Sequence, residues 1–83
     1  MMISVVYFAR LKEVFGLAEE TLANTPASVA DLIDLLAARG GVWSEELAGG
    51  KVFRVAINQE MARLSDEIPE GAEVAIFPPV TGG

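Results

Sequence analysis

The chain has 83 residues, 52 % of them hydrophobic, enough for one small domain spanning residues 1–83 with a single core. It contains no histidine and no cysteine, which excludes imidazole bases, thiol nucleophiles, thiolate metal sites and disulfides, so no metal ligands are assigned and a self-contained catalyst is not expected. Twelve acidic residues against six scattered basic ones, Arg10, Lys12, Arg39, Lys51, Arg54 and Arg63, give a formal charge of −6 and exclude the clustered phosphate contacts of a nucleic-acid binder.

The first element is a strand predicted over Met2 to Arg10, rich in β-branched and aromatic residues, with Ile3, Val5 and Tyr7 on one face and Ser4, Val6 and Phe8 on the other. Arg10 to Phe15, closed by Gly16, reads as one or two helical turns. Glu19 to Ala23 alternates weakly and is expected to pair with the first strand. Val29, Leu32, Ile33 and Leu36 then fall at i, i+3, i+4 and i+7. Ser28 is the expected N-cap, Asp31 sits in the first turn, and Arg39 and Gly40 are stop signals. Trp43 to Leu47 predicts a second short helix. Phe53, Val55 and Ile57 alternate with Arg54 and Ala56 in a strand, followed by a turn at Asn58-Gln59-Glu60 and a short return strand over Met61 to Leu64. Pro69-Glu70-Gly71 marks a turn before a terminal strand from Glu73 to Phe77.

No apolar run reaches membrane-spanning length and the N-terminus lacks a signal-peptide pattern, so a cytoplasmic protein without a membrane partner is expected. The acidic excess fits solubility, or a meeting with a basic protein surface. One principal helix must be buried against a sheet, which makes the fold class α+β: a β-grasp, the ubiquitin-like arrangement, with a mixed sheet packed on one main helix and the first and last strands adjacent at its centre. The side facing the helix would take Ile3, Val5, Tyr7, Val29, Leu32, Ile33, Leu36, Phe53, Val55, Ile57, Val74 and Ile76. Parity then turns Phe8 and Phe77 to the open face, where Met61 could join them. An exposed apolar patch of this kind suggests a docking surface; the competing reading is that a loop or the Trp43 segment covers it.

The terminal strand runs into Pro78-Pro79-Val80-Thr81-Gly82-Gly83. The two prolines restrict φ and favour extended geometry, so the tail is expected to project from the body. Four residues after the prolines reach at most ~13–14 Å, the scale of a neighbouring pocket. Gly82 and Gly83, lacking Cβ atoms, can thread a narrow channel and leave the Gly83 carboxylate as the least hindered reactive group. The plainer alternative is a frayed end.

Three segments carry a family likeness: Tyr7-Phe8-Ala9-Arg10-Leu11-Lys12-Glu13, Ala56-Ile57-Asn58-Gln59, and Glu73 to Gly83 with its Phe77-Pro78-Pro79-Val80-Thr81-Gly82-Gly83 ending. The chain resembles the MoaD family, the ubiquitin-like small subunits of molybdopterin synthase, over its whole length. The resemblance implies a sulfur carrier of molybdenum cofactor biosynthesis that binds no cofactor itself. An ATP-dependent adenylating enzyme of the MoeB type would activate Gly83, the acyl-adenylate would become a thiocarboxylate, and the tail would deliver sulfur to cyclic pyranopterin monophosphate in the large subunit. It further implies a heterotetramer of two small and two large subunits, with Phe8, Met61, Phe77, Pro78, Pro79, Val80 and Thr81 in contact with partners. Ile76 stands where relatives often carry a second aromatic. Two alternatives remain open: a carrier of the same design for thiamine or cysteine synthesis, and a ubiquitin-like interaction module without acyl chemistry.

Overall fold

The computed structural model describes residues 2–79. Strand β1 (Ile3–Tyr7) buries Ile3, Val5 and Tyr7 and leaves Ser4 and Val6 half-covered, the alternation expected of a sheet with one packed face. It ends three residues earlier than the sequence predicts, because helix α1 (Ala9–Phe15) begins at Ala9 with φ +52°. That left-handed bend lifts the chain off the sheet, and nothing about alanine announces it. Gly16 closes α1 with φ +77°, its N–H donating to the Lys12 carbonyl. Strand β2 (Glu19–Leu22) then returns antiparallel to β1, from Val6↔Glu19 to Ile3↔Leu22.

Helix α2 (Val29–Ala37) starts where the sequence places it. The Ser28 hydroxyl accepts the Asp31 N–H at 3.2 Å, and Val29, Leu32, Ile33 and Leu36 are buried. The helix stops at Ala37, so Arg39 lies beyond its last turn and serves a different purpose. Helix α3 (Val42–Leu47) follows Gly40 and Gly41, both at positive φ. Strands β3 (Arg54–Ile57) and β4 (Glu60–Ala62) form a hairpin closed by two residues, Asn58 and Gln59, at φ +49° and +70°. Two left-handed residues make a turn whose twist matches the flanking strands, so Glu60 belongs to the strand and not to the expected three-residue turn. Strand β5 (Glu73–Phe77) has the predicted bounds.

The sheet order is β2-β1-β5-β3-β4, with β1 and β5 parallel at the centre and the other pairs antiparallel. This is a ubiquitin-like β-grasp. Ten of the twelve residues expected on the helix side are buried; Phe53 and Ile57 pack against the core but stay partly exposed. Phe53 precedes β3, and Ile57 sits at the hairpin turn. Leu11, Phe15, Leu47, Ile68 and Ala72 complete the core from short elements and loops whose periodicity is too brief to read.

Candidate docking face and tail root

The strand register defines the face turned away from α2. Val6 pairs with Ala75, Ala75 with Ala56, and Ala56 with Met61, a row that crosses the four strands β1, β5, β3 and β4. The two alanines keep the middle of this row low. At its margin, one residue past the last parallel pair Tyr7↔Ile76, stand Phe8 and Phe77. Phe8 remains in extended conformation and donates its N–H to the Ile76 carbonyl at 3.2 Å, so the aromatic pair is held on backbone that still belongs to the sheet. Phe8 is 48 % exposed and Met61 64 %, while Phe77 is half-buried. The parity expected of Phe8 and Phe77 holds, and Met61 joins that face from strand β4 opposite Ala56.

The Trp43 segment does not cover them. Trp43 stacks on Phe15 with ring centroids 3.8 Å apart, and both meet Tyr7 edge-on at 5.4 and 5.2 Å, on the helix side of the sheet. The Arg39 guanidinium lies 4.4 Å above Trp43 and makes a two-pronged pair with Glu20 at 2.7 and 2.8 Å, to which the Tyr7 hydroxyl donates at 2.6 Å. Arg39 holds the Glu20 carboxyl below its usual range. Burial, reinforced by that carboxylate, pushes the Tyr7 hydroxyl upward. Among the described residues Phe8 and Phe77 make no ring–ring contact.

Two polar devices fix the edges of the open face. Asn58 donates its backbone N–H to the Glu73 carbonyl at 2.8 Å and accepts the Glu73 N–H on its side-chain oxygen at 3.0 Å, so the β3–β4 turn is clamped to the start of β5. Glu46, 5 % exposed, receives both prongs of Arg10 at 2.8 Å and the Lys51 ammonium at 2.9 Å. Lys51 and then Arg10 hold the Glu46 carboxyl below its usual range, against the opposing cost of its burial. This carboxylate ties α1, just past Phe8, to the segment that leads into β3. Sequence reasoning missed it, because its two cations lie 36 and 5 residues away and share no pattern with it.

The tail leaves the body opposite Arg54, which pairs with Phe77. Pro78 and Pro79 are half-buried and outside regular structure. Val80, Thr81, Gly82 and Gly83 lie outside the described residues. Among the described residues no helix is long and apolar enough to cross a membrane.

The model of the ThiS family matches residues 5–83. The molybdopterin synthase sulfur carrier subunit of Escherichia coli is 40 % identical over 83 residues, covering 99 % of this chain and 100 % of that protein. The protein of the same name from Haemophilus influenzae is 38 % identical over 82 residues, covering 99 % and 100 %. The crystal structure of SAMP1 from Haloferax volcanii superposes with a TM-score of 0.75 at 27 % identity, covering both chains in full.

Proposed function

The chain belongs to the ThiS family, and from that membership we propose that it is the sulfur carrier subunit of a molybdopterin synthase. The observation that carries this reading is the end-to-end match to two bacterial sulfur carrier subunits of that enzyme. The geometry supports it: an uncovered apolar face, edged by Phe8, Met61 and Phe77, adjoins the root of a tail that runs through Pro78, Pro79, Val80 and Thr81 to Gly82 and Gly83. The whole of residues 1–83 acts as one carrier domain.

The chemistry follows from the Gly83 carboxylate. A carboxylate is a poor electrophile, so one of its oxygens first attacks the α-phosphorus of ATP in a MoeB-type activating enzyme, and pyrophosphate leaves. A sulfur donor at the sulfide level then adds to the acyl carbon and expels AMP, giving a thiocarboxylate. Gly82, without a side chain, lets this end thread the pocket of the large subunit, while Phe8, Met61 and Phe77 seat the body against the partner. There the thiocarboxylate sulfur attacks a carbon of cyclic pyranopterin monophosphate, a C–S bond forming as that carbon's C–O bond breaks. Water then hydrolyses the acyl–sulfur bond, leaving the sulfur on the pterin and returning the carrier to its carboxylate. Each carrier delivers one sulfur, so two charged carriers are consumed in turn to build the dithiolene, in an assembly of two small and two large subunits. The chain holds no cofactor; the ATP is consumed by the activating enzyme, in the cytoplasm.

The test is an intact mass spectrum after incubation with ATP, a sulfur source and the host's activating enzyme. Replacement of one oxygen by sulfur, mapped to Gly83, is the expected result. An unmodified chain, with the enzyme shown active on another carrier, would overturn the reading.

A further inference from the structure

The cations of this chain are unevenly employed. Arg10 and Lys51 are committed to Glu46, and Arg39 to Glu20. The side-chain cations of Lys12, Arg54 and Arg63 have no carboxylate partner among the described residues, and two of these residues, Arg54 and Arg63, line a single groove with Lys51 at its end. The groove forms because the hairpin splays beyond the pair Val55↔Ala62. Residues 51–53 run toward α3, while Leu64 is drawn to the start of α2, where its carbonyl accepts the Ala30 N–H at 2.9 Å. Val29 and Val55 form the floor. Val52, 61 % exposed, and Leu64, 54 % exposed, stand on the walls.

Among the described residues no carboxylate lines this groove, although the chain carries twelve acidic side chains. Glu60, Asp66 and Glu67 line a separate hollow, and the Asp66 carboxylate accepts the Arg63 backbone N–H at 2.8 Å without pairing with its guanidinium. An apolar slot whose charged edges, among the described residues, are all cationic, in a protein of net charge −6, is complementary to a segment that carries carboxylates beside apolar side chains. Arg54 is also the residue paired with Phe77, where the tail begins, so a protein that takes in the tail must lie against it.

We propose that the groove between residues 51–55 and 62–64 seats an acidic, partly apolar segment of the large synthase subunit. The proposal rests on the carrier reading above. It adds a polar anchor on the far side of the tail root from Phe8, so that the tail enters its pocket flanked by an apolar contact and a charged one.

The test is titration calorimetry of the full chain against the large subunit at two salt concentrations, for wild type, Arg54→Ala/Arg63→Ala and Arg54→Glu/Arg63→Glu. The expected order is wild type tightest and the glutamate pair weakest, by at least about tenfold, with a shallower salt dependence in both variants. Thermal melts of the variants are expected to match the wild type, since neither guanidinium supports the fold. Variants that bind within about twofold of the wild type, where a tenfold change is only 1.4 kcal/mol, would overturn the groove assignment and leave the carrier reading intact. Failure of the wild type itself to bind would overturn both. If sedimentation shows the wild type self-associating and the glutamate variant monomeric, the occupant is a second copy of this chain and the proposal is wrong.

Discussion

The two faces of the sheet use the same kinds of residue to opposite ends. On the helix side, Tyr7, Phe15 and Trp43 spend their rings on one another, and the Tyr7 hydroxyl and the Arg39 guanidinium drawn in with them both close on Glu20. On the open side Phe8 and Phe77 stand at the edge of a low alanine row with no ring partner among the described residues. The first arrangement is complete in itself. The second is half of something, since apolar area left in water is favourable only when another surface removes it. The comparison separates residues that hold the fold from residues available to a partner, and substitutions can test where the division runs.

The largest effect is expected on the helix side. Leu32 is fully buried beneath the sheet, so Leu32→Ala removes packed methyl groups and leaves a cavity. Chemical denaturation should show a loss of about 2–5 kcal/mol. Affinity for the large subunit, measured where the variant is still folded, should not change. A loss below about 1 kcal/mol would mean that the helix does not rest on the sheet as described.

Phe8→Ala and Phe77→Ala should do the reverse. Each removes a ring from the face without a partner, and binding to the large subunit is expected to weaken by ~1–3 kcal/mol in calorimetry. Stability should change less for Phe8, which is 48 % exposed, than for Phe77, which is half-buried. Unchanged affinity for both would assign the two rings to the fold and erase the division between the faces.

The division was largely visible in the linear sequence, for a physical reason. Strand parity depends only on spacing, so once Val5, Tyr7, Val74 and Ile76 are given to the core, Phe8 and Phe77 have one direction left. Helix α2 was equally legible, because its apolar stripe, its Ser28 cap and its first-turn Asp31 all lie within one local window. What escaped was non-local or conformational. Glu46 draws Arg10 from 36 residues away in the sequence, and Arg39 leaves its expected role at the helix end for Glu20 and Trp43. The end of β1 is not legible in the sequence because a left-handed alanine leaves no compositional trace. The groove beside Arg54 arises where two strands part, a consequence of how Leu64 is bound to α2, and no property of Leu64 in the sequence predicts that.

Glu46 tests whether the polar clamp belongs with the fold or with the face. Its folded pKa is depressed, so the stabilisation it brings is fully present above the ordinary glutamate value of 4.5 and is lost as pH falls through the lower folded value. Glu46→Gln should cost about 1 kcal/mol at neutral pH, modest because Arg10 and Lys51 are 53 % and 47 % exposed and can turn to water. The difference between variant and wild type should hold from neutral pH to the ordinary carboxylate range and close below it. Glu20, depressed in the same direction by Arg39, titrates in both proteins and cancels from the comparison. Thermal melts across the acid range measure the gap. A gap that persists at the lowest pH would show that the side chain acts by packing and not by charge.

The smallest effect concerns the residue at which the chain passes from one region to the other. Ala9, at φ +52°, lies between Phe8 on the open face and Leu11 in the core. Without that bend the helix could not leave the sheet while Phe8 remains extended along it. A left-handed alanine costs roughly 1–2 kcal/mol, whereas a glycine there would escape the strain but lose about 0.4–1 kcal/mol to the greater freedom of the unfolded chain. Ala9→Gly is therefore expected to stabilise the protein slightly, by less than about 1 kcal/mol in denaturant melts. The same change frees the backbone that aims Phe8, so affinity for the large subunit should fall while stability rises. Stability and binding moving in opposite directions would identify Ala9 as strain retained for the docking face. A change in stability alone would make the bend a feature of the fold, and the boundary between the two regions would move to Phe8 itself.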